Sequence, residues 1–115
     1  MKLQMEKPLK TELESLYEAA NWNDAVSFIP QLLHDSWNTF TVRDEEGKLI
    51  GFAAVYATNQ LASLTDVVIH PALQGKGLGK QLVGFVIRET KKSGFKSLKV
   101  DYASDKSGFY DKALI

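Results

Sequence analysis

Residues 74–80, Gln-Gly-Lys-Gly-Leu-Gly-Lys, set three glycines at alternate positions with two lysines among them, directly ahead of a helical pattern. Glycine is a poor helix former, so Gly75, Gly77 and Gly79 at a helix start need another reason. Glycine reaches positive φ without steric cost, which lets successive N–H groups converge on one point. The first helical turn adds its own unpaired N–H groups and a partial positive charge. Together these suit a phosphate or pyrophosphate, with Lys76 and Lys80 as added point charges. The plain alternative is an ordinary strand-to-helix connection. Two familiar phosphate loops do not match. A Walker loop needs G-x-x-x-x-G-K-[ST], but Gly79-Lys80 is followed by Gln81 and preceded by Gln74 at the critical spacing. A dinucleotide fingerprint G-x-G-x-x-G follows its strand directly, whereas here the spacing is G-x-G-x-G and residues 72–74 intervene.

The elements around this loop are legible from periodicity. Thr11 and Glu14 have capping-box spacing, and Leu13, Leu16, Tyr17 and Ala20 recur as one face of an amphipathic helix. Residues 27–37 read as a second, short helix capped by Ser27, with Pro30 tolerated in its first turn. Residues 39–58 read as a β-hairpin turning at Asp44–Lys48. After a break at Asn59-Gln60, residues 61–69 form a strand rich in β-branched residues, ended by Pro71. A helix from about Gly79 to Ser93 follows, with Leu78, Leu82, Phe85 and Val86 inward and Gly94 as the C′ glycine. Residues 95–103 are another strand, and residues 105–115 begin a last helix. The expected order is thus two helices, three antiparallel strands, then strand-helix-strand-helix. The crossover makes strands 62–69 and 96–102 parallel. The fold class is α/β, a mixed and mostly antiparallel sheet flanked by helices.

Length and composition bound the rest. The 115 residues, 44% apolar and 24% charged, fit a single domain over 1–115 with one core. There is no cysteine, hence no disulfide, thiolate metal site or Cys nucleophile. The N-terminus lacks an apolar core for a secretory signal, and the longest nearly apolar run, residues 49–57, is too short to span a membrane. A cytoplasmic location is expected. Residues 1–66 carry five Lys/Arg against ten Asp/Glu, and residues 67–115 carry nine against four. The basic half holds the glycine loop, which suits an anionic ligand, although Arg88, Lys91, Lys92, Lys96 and Lys99 also serve to solvate a helix end and a strand. No basic stripe is interleaved with aromatics, so nucleic acid is not an expected partner.

Gln74-Gly75-Lys76-Gly77-Leu78-Gly79 resembles Q/R-x-x-G-x-G/A, the acetyl-CoA loop of the GNAT N-acetyltransferase superfamily. Residues 64–83 are similar to its strand, Pro-containing loop and helix throughout. Phe109-Tyr110-Asp111-Lys112 resembles its F-Y-E-K segment, and residues 16–22 resemble L-Y-x-x-x-G-W of small bacterial members. The resemblance implies the acyl-CoA N-acyltransferase fold, with acetyl-CoA (coenzyme A) as cofactor, a small-molecule or peptide amine as acceptor, and no metal. It also implies that main-chain N–H groups from Gln74 through Gly75, Lys76, Gly77, Leu78 and Gly79 to Lys80 wrap the CoA pyrophosphate. Val67, Val68 and Ile69 would present main chain to the pantetheine arm, with an N–H near Val68 for the thioester oxygen. Tyr110 would reach the CoA sulfur. An ordinary phenol, near pKa ~10, protonates a thiolate whose acid is near ~8.5 uphill by about 2 kcal/mol, so a hydrogen bond to sulfur is the expected role.

Aminolysis of a thioester needs a neutral amine, an oxyanion site and a proton for the leaving thiolate, and no covalent nucleophile. Asp66 is the candidate base, expected to share a strand face with Leu64 and Val68, where an apolar setting raises a carboxylate. Its alternative is a structural carboxylate capping loop N–H groups. His34 reads as a helix-end residue and His70 as a loop residue, neither a base nor a ligand. Family members follow F-Y-E-K with L-G-F and two closing strands, whereas this chain reads Ala113-Leu114-Ile115. The expectation is a C-terminally shortened member whose strand 96–102 has an open edge, covered by a second copy in a homodimer. A non-catalytic CoA-binding module, or a truncated member with an incomplete acceptor site, would use the same glycine loop. An interaction domain with an empty loop is the third possibility.

Overall fold

The computed structural model describes residues 1–100. The expected last helix, Tyr110, and the end of strand 96–102 lie outside the described residues. In chain order the elements are β1 (Lys2–Met5), α1 (Lys10–Ala19), a 3₁₀ turn (Asn23–Phe28), α2 (Ile29–Asp35), β2 (Asn38–Arg43), β3 (Leu49–Thr58), β4 (Leu61–Ile69), α3 (Leu78–Lys92) and β5 (Ser97–Val100). The five strands lie side by side in that same order. β1 to β4 are antiparallel neighbours, and β5 joins β4 in parallel from Leu61↔Ser97 to Leu64↔Val100. The mixed, mostly antiparallel sheet is therefore as the sequence implies, including the parallel pair made by the α3 crossover.

The sheet is buried on both faces, which is why β3 reads as a nearly continuous apolar run. On one face Leu13, Leu16 and Tyr17 of α1 and Ile29 and Leu32 of α2 pack on Phe52, Ala54 and Val68. On the other, Leu78, Leu82, Val83 and Val86 of α3 cover Ala53, Val55, Leu64 and Val67. Gly94, with φ +94°, ends α3 as expected of a C′ glycine. The hairpin turn is also as read: Asp44 Oδ1 accepts from the N–H groups of Glu46 and Lys48, and Gly47 takes φ +85°.

Three expectations are corrected. The chain opens with a strand, β1, rather than with helices, because Lys2–Met5 finds a partner in Arg43–Phe40, far away in sequence. α1 begins at Lys10, and its cap is made by Glu12, which accepts from the Leu9 N–H at 3.0 Å, not by Thr11 with Glu14. Ser27 does not cap the second helix; it lies in the 3₁₀ turn, and α2 starts at Ile29 with Pro30 in its first turn as expected.

Glu12 is doubly used. Arg43, at the end of β2, grips it in a fork (2.7 and 3.0 Å) and donates through Nε to Glu6 at 2.7 Å. Thr41 Oγ1 also donates to Glu6. Burial pushes Glu6 up, yet the Thr41 and Arg43 hydrogen bonds and the Arg43 charge hold it below the usual carboxylate range. The Arg43 hydrogen bonds hold Glu12 there against a smaller effect of burial. This ties β1, β2 and α1 together. Arg43→Met is expected to cost about 2 kcal/mol in urea unfolding, since it strands two partly buried carboxylates. The network's contribution is complete above the ordinary Glu value of about 4.3 and is lost as pH falls through the lower folded-state values. A mutant with unchanged stability at pH 7 would remove the network from the fold's support.

Candidate active site

β4 positions everything that follows. Its pairing with β3 slips between Ala54 and Val55: Ala54 faces Asp66, Val55 faces Leu64, and Thr65 is the extra residue. A bulge shifts the alternation of a strand by one. Leu64 accordingly packs with the α3-side core, while Asp66 turns toward α1 with Val68. Asp66 and Leu64 are thus on opposite faces, a correction to the simple two-residue alternation; Asp66 and Val68 do share one.

The Asp66 carboxylate meets no loop N–H among the described residues. It accepts a 2.6 Å hydrogen bond from the hydroxyl of Tyr17, whose ring is held edge-on by Trp22 and Phe52. Burial pushes the Asp66 carboxyl above its ordinary value, and the Tyr17 bond offsets only part of this. Burial, together with the Asp66 charge and hydrogen bond, keeps Tyr17 protonated and hence a donor. Beside the pair lies a cavity of about 350 Å³, lined by Tyr17, Ile29, Leu32, Tyr56, Thr65 and Asp66, with Phe28 also on its wall. Thr65 Oγ1 is buried without a partner among the described residues. Periodicity marks Tyr17 only as a core residue, and nothing local links it to a carboxylate 49 positions away.

The glycine loop starts where β4 ends. There His70 Nδ1 accepts from the Ala72 N–H and caps the Pro71–Leu73 turn. His34 is exposed at the end of α2 beside Asp35. The Gln74 side chain donates to the Ile69 carbonyl at 3.0 Å, tying the loop to the strand. Gly75 and Gly77 take φ of +82° and +80°, and a Cβ added at either would meet open space. Gly77 is the N-cap of α3, so Leu78, Gly79 and Lys80 form its first turn. Among the described residues none of the main-chain N–H groups from Gly75 to Lys80 finds an acceptor. Lys76 and Lys80 are exposed beside them. Unpaired main-chain donors on a glycine-rich turn at a helix mouth suit an anion such as a diphosphate.

Between the two features runs the main chain of Val67, Val68 and Ile69. The His70 N–H bonds the Ile50 carbonyl at 2.9 Å, which in an antiparallel ladder turns the Val68 main chain toward β3 and that of its neighbours toward the β5 side. Val68 itself therefore spends its N–H on the sheet. Among the described residues β5 pairs with β4 from Leu61↔Ser97 to Leu64↔Val100.

A bulged β4 leading through a glycine cradle into a crossover helix is the layout of an N-acyltransferase fold. Escherichia coli GNAT family N-acetyltransferase YhbS, solved in complex with CoA, superposes over 97% of this chain and 66% of its own with a TM-score of 0.82 at 16% identity. A GNAT family acetyltransferase from Brucella melitensis, solved with acetyl-CoA, does so over 96% and 81% with a TM-score of 0.77, also at 16% identity. The sequence profile of the Acetyltransferase (GNAT) family matches residues 2–114, and this chain belongs to that family. It is also similar to an "Uncharacterized N-acetyltransferase ycf52-like" protein of Prochlorococcus marinus, 35% identical over 88 residues, 72% of this chain and 49% of that protein. The chain spans about half the length of the curated relatives it matches. No described helix is long and apolar enough to cross a membrane.

Proposed function

We propose that this protein is an N-acetyltransferase that moves the acetyl group of acetyl-CoA to a primary amine by direct attack, without a covalent enzyme intermediate. The observation that carries this reading is the run of unpaired N–H groups from Gly75 to Lys80 at the mouth of α3, on a chain of the GNAT family. The solved relatives bound to CoA and acetyl-CoA support the same cofactor here.

In this reading residues 74–80 hold the pyrophosphate through main chain, with Lys76 and Lys80 adding charge. The main chain of Val67, Val68 and Ile69 borders the pantetheine arm, with a main-chain N–H near Val68 for the thioester oxygen. Acetyl-CoA supplies an acetyl thioester, so that a C–N bond forms as the C–S bond breaks. Asp66 takes the first proton from the substrate ammonium and passes it to water; the second leaves nitrogen for the sulfur. A carboxyl raised by burial suits the first transfer, being a stronger base than an exposed carboxylate. Tyr110, outside the described residues, is assigned to hydrogen-bond the sulfur. Tyr110→Phe should lower kcat by about tenfold or more with little change in acetyl-CoA KM; equal losses in both would leave the hydroxyl without a chemical role.

Cytoplasmic location and pairing of two copies along β5 complete the proposal, the latter checked by sedimentation of dilute protein. The deciding experiment for the reaction is release of free CoA thiol from acetyl-CoA across amine classes, beside calorimetric titration with CoA. Binding without thiol release for any amine would leave a CoA-binding module; absence of binding would overturn the site itself.

A further inference from the structure

The cavity beside Asp66 restricts which amine fits. Among its described lining residues Asp66 is the one ionised group; Ala25, Phe28, Ile29 and Leu32 with the Tyr17 and Tyr56 rings make most of the wall apolar, and Gln31 and Thr65 are its neutral polar members. At about 350 Å³ it is at the small end of ligand pockets. One carboxylate balances one ammonium, and each further buried cation would be unpaired at a heavy desolvation cost. Apolar walls reward an apolar body, and tyrosine rings add an attraction for a nearby cation.

Resting on the acetyltransferase reading, we propose that the acceptor is a monoamine: one primary ammonium on a short arm attached to a single apolar body of about ring size. Polyamines and aminoglycosides, which carry several charges, are disfavoured by the same wall. Phe28 is 67% exposed on that wall, so it can be changed without opening the core, and it is a specificity residue.

The test compares phenethylamine, methylamine, spermidine and kanamycin as acceptors at saturating acetyl-CoA, read as free thiol. The expected kcat/KM for phenethylamine exceeds that of the other three by at least about tenfold. Phe28→Ala lowers it about tenfold through KM, and Phe28→Glu shifts preference toward spermidine. Calorimetric titration of each amine into CoA-loaded protein supplies a readout that does not need turnover. If no amine releases thiol, the enzymatic reading fails. The pocket reading then stands only if phenethylamine binds more tightly than spermidine and Phe28→Ala weakens it. A preference for spermidine or kanamycin, equal rates for all four, or indifference to Phe28 overturns the proposal.

Discussion

In Gly77→Val, affinity for coenzyme A is expected to fall at least about a hundredfold while the protein stays folded. Gly77 sits at φ +80° as the N-cap of α3, in a conformation that costs an L-residue roughly 1–2 kcal/mol. In a domain of this size such strain lowers the midpoint of unfolding by about 4–8 °C and does not abolish folding. A Cβ there meets nothing in the protein, so the substitution projects into the space from which a ligand must approach. Losing two charge-assisted N–H contacts to phosphate, at about 1.5–3 kcal/mol each, accounts for the hundredfold. Gly77→Asn separates strain from obstruction. Asparagine tolerates the left-handed region, yet still carries a side chain into the cradle, so its affinity should fall as well. Calorimetry on both variants decides. Wild-type affinity in both would remove the loop from the site, and loss in the valine variant alone would assign the effect to backbone strain.

Asp66→Asn should reduce acetyl transfer at neutral pH by about 10²–10⁴, with stability retained or raised. The sign follows from burial. Asp66 is pushed above its ordinary value in the folded state, so folding favours its protonated form. Its contribution is therefore best at low pH, declines as pH rises through the folded-state value, and is at its worst at neutral pH. Asparagine removes the buried charge, and its Oδ1 still accepts from Tyr17. A structural carboxylate would show the reverse, a loss of stability with little effect on turnover. Tyr17→Phe gives the complementary result. It deletes the hydrogen bond that holds Asp66 partly down, so the acid limb of kcat/KM moves to higher pH. An unmoved limb with a lower melting temperature would reduce Tyr17 to a packing role.

Much of the scaffold is readable locally because the signals are local. The 3.6-residue periodicity of α1 and α3, the Asp44–Lys48 turn chemistry, and the glycines at 75, 77 and 94 each specify conformation within a few residues. The short edge strand β1 carries no such signal; it exists because Arg43–Phe40 offers it a ladder. Capping went to Glu12 rather than to the pair of Thr11 and Glu14, where Arg43 arriving from β2 holds the carboxylate in a fork.

By itself, then, the sequence determined that residues 74–80 form a glycine-led helix mouth, that strands 62–69 and 96–102 run parallel, and that Asp66 is a carboxylate placed among apolar residues. Only the tertiary structure decided which way that carboxylate points. The bulge at Thr65 is a property of the β3–β4 pairing, one residue against none across the ladder, and period-two reasoning on β4 alone cannot contain it. That single extra residue turns Asp66 from the α3 side to the α1 side, where Tyr17 and the apolar cavity meet it.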